Sequence, residues 1–316
     1  MTISNVEKAA LNAVLKGLKV YTEFEKGTGC LDYKGCSFGI GGQISYNSKG
    51  QVALLQYITS DPSLKGKDSF LSTEIGNLSN LNTLGLIGYE DKGYLKGSIP
   101  TEIGDLKALR DLNISNNDLK GSIPTEIGKL KSLGGLVLAN NQLKGSIPTE
   151  IGNLSNLTGL VLAINNLKGS IPIEIGNMKS LNGLLLNNNK LSGSIPTEIG
   201  NLKALEGLFL NNNCLTIDSD GIKAIKSLDV YNQGHFCSYN KDNPNWPYNY
   251  DMSEFVCKGK GGLYNFNNNC INYKALIGVT QKNCDNCPSC KGNKIESISI
   301  PGSTLKINYN NDGICK

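Results

Sequence analysis

Apolar positions along this 316-residue chain change period from one stretch to the next. Val6, Ala10, Ala13, Val14 and Leu18, with Leu11 and Leu15 beside them, follow helical spacing and predict an amphipathic helix. Two strand-like segments, 43–46 and 51–57, flank Asn47-Ser-Lys-Gly50 and predict a hairpin. From about residue 52 to 216 one pattern then returns again and again. Leucines open equivalent segments at Leu81, Leu109, Leu133, Leu157, Leu181 and Leu205, at spacings of 28 and then 24 residues. The first spacing is long because of four extra residues within 87–94.

Each position of the unit has a physical reading. Leu136, Leu138 and their counterparts alternate with other residues, so a short strand points them inward. Asn117, Asn141, Asn165, Asn189 and Asn213 follow each strand, where an amide can bond backbone groups of its turn and of the next coil. Gly97, Gly121, Gly145, Gly169 and Gly193 allow a bend that a side chain resists. Pro100, Pro124, Pro148, Pro172 and Pro196 fix φ and stop any long helix on the far side. Ile103, Ile127, Ile151, Ile175 and Ile199, with Leu106, Leu130, Leu154, Met178 and Leu202, close the core from the opposite wall. One coil cannot bury its own apolar side, whereas a stack makes a continuous core. The expected fold is an α/β solenoid, right-handed, with a parallel sheet along one face.

The unit Leu133-Gly-Gly-Leu-Val-Leu-Ala-Asn-Asn-Gln-Leu-Lys-Gly-Ser-Ile-Pro-Thr-Glu-Ile-Gly-Asn-Leu154 resembles the plant-type leucine-rich repeat LxxLxLxxNxLxGxIPxxIGxL. The resemblance covers about half the chain and divides it into an N-terminal cap (1–51), the repeats (52–216), a capping segment (217–237) and a small Cys-rich domain (238–316). Residues 1–51 look like the N-terminal cap of plant leucine-rich-repeat ectodomains: helix, paired-cysteine loop closed by Cys30 and Cys36, hairpin. Tyr33 stands where that cap usually has Trp. Downstream, 218–228 predicts a capping helix, and 295–300 with 305–309 a terminal hairpin.

The ten cysteines lie at the two ends, with none between Cys36 and Cys214. That layout reads as disulfide-bonded caps in an oxidising compartment. Met1-Thr-Ile-Ser-Asn-Val-Glu-Lys is not a secretory signal, so a trimmed secreted chain is expected, the alternative being a cytosolic chain with reduced thiols. If Cys214 pairs with Cys237, then Cys257, Cys270, Cys284, Cys287, Cys290 and Cys315 remain, and their connectivity stays open. Cys284, Cys287 and Cys290 have iron–sulfur or zinc spacing, but Lys294 stands where a fourth ferredoxin ligand belongs, so disulfides are favoured.

Charge narrows the function classes. The net charge is +4 and Arg110 is the only arginine, with no basic run, which argues against nucleic acid. His235 is the only histidine, which leaves no His pair for a metal and argues against a catalytic triad. No apolar run approaches the ~18–20 residues of a membrane span. No cofactor or metal is expected, and an enzyme is not.

Partner contact is expected on the outer sheet face. Its solvent-facing positions are Arg110, Asp111, Asn113 and Ser115, then Gly134, Gly135, Val137 and Ala139, and onward to Asn187, Glu206 and Asn211. Val137, Val161, Leu185 and Phe209 are expected to form an exposed apolar row, which marks contact with something. On the opposite side run Glu102, Glu126, Glu150, Glu174 and Glu198, read as solvated charges rather than a cation site. Between them Ser122, Thr125, Ser146 and Thr149 belong to a regular hydroxyl and methyl array of the kind some ice-binding solenoids display, interrupted by Ile173. Aromatics in 245–250, with Phe255, Tyr264 and Phe266, are read as interior of the Cys-rich domain rather than a sugar platform. Candidate N-glycosylation sequons are Asn77, Asn113, Asn153 and Asn156.

The resemblance implies a secreted or cell-surface recognition module, similar to receptor-kinase ectodomains and polygalacturonase inhibitors. Its expected partner is a protein or peptide, with a cell-wall or surface glycan as the second choice. The alternative function is a structural, ice-binding or adhesive solenoid.

Overall fold

A computed structural model gives the fold. It describes residues 4–20, 36–38, 42–58, 68–88, 94–210, 213–216, 220, 224, 262–264, 270–272, 297–299 and 306–308. The chain divides into two compact units, 1–157 and 158–316.

The first unit opens with α1 (Asn5–Gly17), capped by Ser4, whose Oγ accepts the Glu7 N–H at 3.2 Å. Its buried face is Glu7, Ala10, Leu11, Val14 and Leu15, while Val6 is 66% exposed. The apolar stripe is therefore rotated from the expected one: Val6 and Ala13 leave it and Glu7 enters. The reason is a hydrogen bond. Glu7 Oε1 accepts the buried N–H of Val52 at 2.8 Å, so a carboxylate takes a core-facing position where a backbone donor needs an acceptor. Burial pushes the Glu7 carboxyl above its ordinary value, and the Val52 bond opposes that.

The hairpin forms from β2 (Gly42–Tyr46) and β3 (Val52–Ile58), preceded by β1 (Cys36–Phe38), which pairs antiparallel with β2. A two-residue strand, β4 (Ser69–Phe70), follows. Then β3 continues in parallel into β5 (Thr83–Ile87), with β6 (Leu95–Gly97) on the far side of that coil, and β5 pairs with β7 (Asp111–Asn113). Short β8 (Asp118–Leu119) precedes β9 (Gly135–Val137), which pairs with β7, and β10 (Lys144–Gly145) ends the set. The register is one repeat per strand: Leu84 opposite Leu112 opposite Leu136. These leucines are buried, together with Ile103, Leu106, Ile127, Leu130, Ile151 and Leu154 from the other wall. The extra residues of the first repeat fall mostly at 89–93, outside the described set; next to them, Tyr94 is buried edge-on to Tyr57, with ring centroids 5.7 Å apart.

Opposite the strands, 3-10 turns span Thr73–Asn77, Thr101–Asp105, Thr125–Lys129 and Thr149–Asn153. Ser72 caps the first, and Pro100, Pro124 and Pro148 sit at the N-caps of the others, with φ between −69° and −66°. Gly97, Gly121 and Gly145 hold φ of +82° to +87°, where a side chain is strained. A glycine overlooked in the sequence sets the stacking distance. A Cβ on Gly104 would sit 2.6 Å from the Glu126 carbonyl oxygen, so only hydrogen lets one turn seat on the next.

The second unit repeats this plan. Its sheet strands are β11 (Gly159–Val161), β13 (Gly183–Leu185) and β15 (Gly207–Phe209), parallel and in register, Leu160 opposite Leu184 opposite Leu208. Far-side strands β12 (Asn166–Gly169), β14 (Lys190–Ser194) and β16 (Cys214–Thr216) pair in parallel, and 3-10 turns span Ile173–Asn177 and Thr197–Asn201. Two antiparallel hairpins follow, β17 (Gly262–Tyr264) with β18 (Cys270–Asn272) and β19 (Ser297–Ser299) with β20 (Lys306–Asn308). The second lies where the sequence places a terminal hairpin. Of 218–228 only Asp220 and Ala224 are described; Cys30, Tyr33, Asn211, His235, Cys237, Cys257 and Cys284 through Cys315 lie outside the described residues.

Candidate functional site

The Asn ladder fixes the strand ends on which any sheet-face site depends. In the first unit, Asn117 Nδ2 donates to Leu86 O at 2.8 Å and Ser115 O at 2.9 Å, and its Oδ1 accepts from Leu95 N at 3.2 Å. Asn141 repeats this one coil on, with Ile114 O at 2.9 Å, Leu138 O at 3.1 Å and Leu119 N at 3.1 Å. In the second unit, Asn189 and Asn213 do the same toward Leu162 and Leu186, and Asn165 also bonds the carbonyls of its own turn. The cross-coil bonds run to the preceding coil, not the following one as the sequence reading had it, because the chain turns back after the strand whose end the amide must cover.

Just before four of the ladder residues the backbone is left-handed: Asn116 φ +58°, Asn140 +52°, Asn188 +57° and Ile164 +56°. Asn tolerates that region, whereas β-branched Ile is strained in it. Asn140 Nδ2 also donates to Asn116 Oδ1 at 3.1 Å.

The sheet face divides by chemistry. In the first unit one row reads Gln56, Gly85, Asn113, Val137 in register, and the row beside it Leu54, Thr83, Asp111, Gly135. Gln56, Thr83, Asp111 and Asn113 are half-buried, and Arg110 at the rim is exposed. Asn113 Oδ1 accepts both the N–H and the Oγ–H of Ser115, at 3.1 and 2.7 Å. Gln56, Thr83 and Ile87 went unnoticed because the long first repeat hides their register; the signal was the offset between β3 and β5, readable only once they are paired.

The apolar row is not exposed. Val137 is 1%, Val161 8%, Leu185 4% and Phe209 8% exposed, and Asn187 3%. This corrects the expectation of an open apolar stripe, and it also removes Ser115, Gly135 and Ala139 from the solvent-facing set, since these too are buried. Alternation along a strand says which side a residue faces, and exposure on that side is set by the rest of the fold. Val161, Leu185 and Phe209 stand in register on neighbouring strands. Glu206 is exposed.

On the turn side of the first unit, Ser98, Ser122 and Ser146 and Thr101, Thr125 and Thr149 are all exposed. Each threonine hydroxyl donates to the carboxylate that follows it, at 3.2 Å in Thr101–Glu102, Thr125–Glu126 and Thr149–Glu150. In the second unit Thr197 does so with Glu198, and Ile173 is 58% exposed. The carboxylates are thus half-buried hydrogen-bond acceptors within their own turns. Among the described residues no group of three His, Cys, Asp or Glu is placed to hold a metal ion, and no helix is long and apolar enough to cross a membrane.

Three segments, 108–130, 132–154 and 180–202, match the family model described as Leucine Rich Repeat. No curated protein sequence matches the chain. Among solved structures, a plant ice-binding protein is similar at 25% identity and a TM-score of 0.57, over 68% of this chain and 66% of its own. The leucine-rich-repeat ectodomain of the membrane receptor kinase GASSHO1/SCHENGEN3 from Arabidopsis thaliana, in complex with CASPARIAN STRIP INTEGRITY FACTOR 2, is similar at 28% identity and a TM-score of 0.53. That match covers 69% of this chain and 28% of the ectodomain, so the chain spans less than a third of that relative's length.

Proposed function

We propose that this chain, with its Leucine Rich Repeat segments and its likeness to plant ectodomains, is a non-catalytic, extracellular recognition module that binds a protein or peptide through the sheet face of its first unit. The observation that carries this reading is the pair of registered rows in which Gln56, Thr83, Asp111 and Asn113 remain half-buried beside exposed Arg110. Such a surface offers amide, hydroxyl, carboxylate and guanidinium groups on a rigid frame at strand spacing. Polar groups of that kind select partners by complementary hydrogen bonds and charge. The likeness to a receptor ectodomain solved with CASPARIAN STRIP INTEGRITY FACTOR 2 supports the class of partner. It does not name one, since fold alone leaves the ligand open. The test is a pull-down from the native extracellular milieu with the intact chain and with Asp111→Lys and Asn113→Arg. A partner held by the wild type and weakened at least ~10-fold, about 1.4 kcal/mol, by each charge change supports the reading. Retention by both variants refutes it.

A second reading, ice binding by the turn side, is favoured by the exposed Ser98, Ser122, Ser146 and Thr101, Thr125, Thr149 array and by the likeness to a plant ice-binding protein. It ranks second because every one of these threonine hydroxyls is engaged by a neighbouring carboxylate, which places charge within the array. Thermal hysteresis that vanishes in Thr125→Lys would reverse the ranking.

A further inference from the structure

The four sequons are alike in sequence and unlike in structure. Asn77 and Asn153 are each the last residue of a 3-10 turn, and both are exposed. The side chain of Asn153 makes no hydrogen bond among the described residues; its backbone carbonyl is the group that accepts from Lys131 Nζ, at 3.1 Å. Asn77 Nδ2 donates to Glu74 Oε2 at 2.7 Å, between two exposed side chains that water can serve equally well.

The other two lie against neighbouring strands or coils. Asn156 Nδ2 donates to Lys131 O at 2.8 Å, so a sugar on that nitrogen would lie against the preceding coil. Asn113 lies half-buried in the sheet row beside Val137, which is 1% exposed, and its Oδ1 holds Ser115. A sugar on Asn113 would have to lie along the registered strands.

We infer that the folded, secreted chain carries N-linked glycans at Asn77 and Asn153 and at neither Asn113 nor Asn156. In the transfer, Nδ2 of the asparagine bonds to C1 of an N-acetylglucosamine and loses one proton. The glycosyl–phosphate bond of a lipid-pyrophosphate-linked oligosaccharide breaks, and the lipid pyrophosphate leaves. Both glycans then stand on the turn side of the first unit, and the strand face stays bare. Thr149, in the same turn as Asn153, comes under a bulky, mobile sugar, so the hydroxyl array is interrupted there. The pattern thus marks the strand face as the side kept open for contact. Occupancy is independent of whether that face binds a partner, so the two conclusions fail separately.

The full chain, secreted from a eukaryotic host behind an added signal, is mapped by peptide mass spectrometry. Treatment with a glycan-releasing amidase marks each formerly occupied asparagine as aspartate. Release should lower the intact mass by two glycans in the wild type, by one in Ser79→Ala or Ser155→Ala, and by none in the double variant. These substitutions remove the sequon and keep both amides, so folding is preserved. Marks at Asn77 and Asn153 alone support the inference. Any other pattern, including an unmodified chain or a mark at Asn113 or Asn156, overturns it.

Discussion

Asn141 is the residue at which the stacking argument can be tested most sharply. It is 8% exposed and makes four hydrogen bonds: Nδ2 to Ile114 O, Leu138 O and Ala139 O, and Oδ1 from Leu119 N. Truncation in Asn141→Ala leaves the buried N–H of Leu119 without its acceptor, at about 1–3 kcal/mol. Ile114 O keeps a longer bond from Asn117, at 3.3 Å, so its loss is partial. With the turn carbonyls included, the total should be about 3 kcal/mol. Asn141→Asp has nearly the same shape and keeps the acceptor for Leu119, yet it turns an anion toward three carbonyl oxygens. At neutral pH it should therefore destabilise more than alanine does, by about 4 kcal/mol. Burial raises the pKa of the introduced carboxyl in the folded state above its unfolded value. Protonation then favours the fold, and the deficit should shrink as pH falls toward 4. The assay is urea unfolding followed by circular dichroism at pH 7 and pH 4, with Asn156→Ala as the control. That residue's one bond, to Lys131 O at 2.8 Å, is exposed, so its loss should cost under ~1 kcal/mol. If Asn141→Ala unfolds within 1 kcal/mol of Asn156→Ala, or the Asp variant shows no pH dependence beyond wild type, the ladder does not hold the coils together as described.

Three further outcomes follow from the same geometry. Ile164→Asn should stabilise by about 1 kcal/mol, because it relieves a left-handed β-branched residue at φ +56° and costs only half-buried apolar area; a lower urea midpoint would contradict this. Gly128→Ala should destabilise by about 1–3 kcal/mol, since its methyl would lie 2.7 Å from Glu150 Cβ, whereas Gly134→Ala meets nothing nearer than 3.6 Å and should be near neutral; equal midpoints would refute the close-approach account. Glu7 has a folded pKa raised from 4.5, so its folded carboxyl binds its proton more tightly, and the stability it lends below that value is lost as pH rises through the folded pKa. Glu7→Gln keeps an acceptor for Val52 and should flatten that decline; melting curves with parallel pH profiles would show that the burial argument fails.

The repeats were legible because the same 24-residue solution is written several times over, and period-two leucines with a fixed Asn, Gly and Pro leave one way to close each coil. The sheet face was less legible, for reasons that particular residues show. Val137 and Leu185 occupy alternate, outward positions of their strands, which is all that a sequence pattern reports. Their burial, at 1% and 4% exposure, is set by the tertiary structure and not by the alternation along the strand. Gln56 and Thr83 show the converse: polar face positions hidden by the irregular first repeat until β3 met β5. Glu7 looked like a solvated helix charge, since nothing in its own neighbourhood announces the Val52 N–H forty-five residues away.

The sequence by itself determined the coil: its length, its inward leucines, its amide ladder and the glycines and prolines that bend it. Those are local choices repeated at fixed spacing, and local chemistry decides them. Only the tertiary structure decided which face positions remain open, which sequon amides lie against a neighbouring coil, and why a second glycine per repeat must be glycine. Each of these turns on atoms from different coils brought within a few ångströms, a distance that no spacing along the chain encodes.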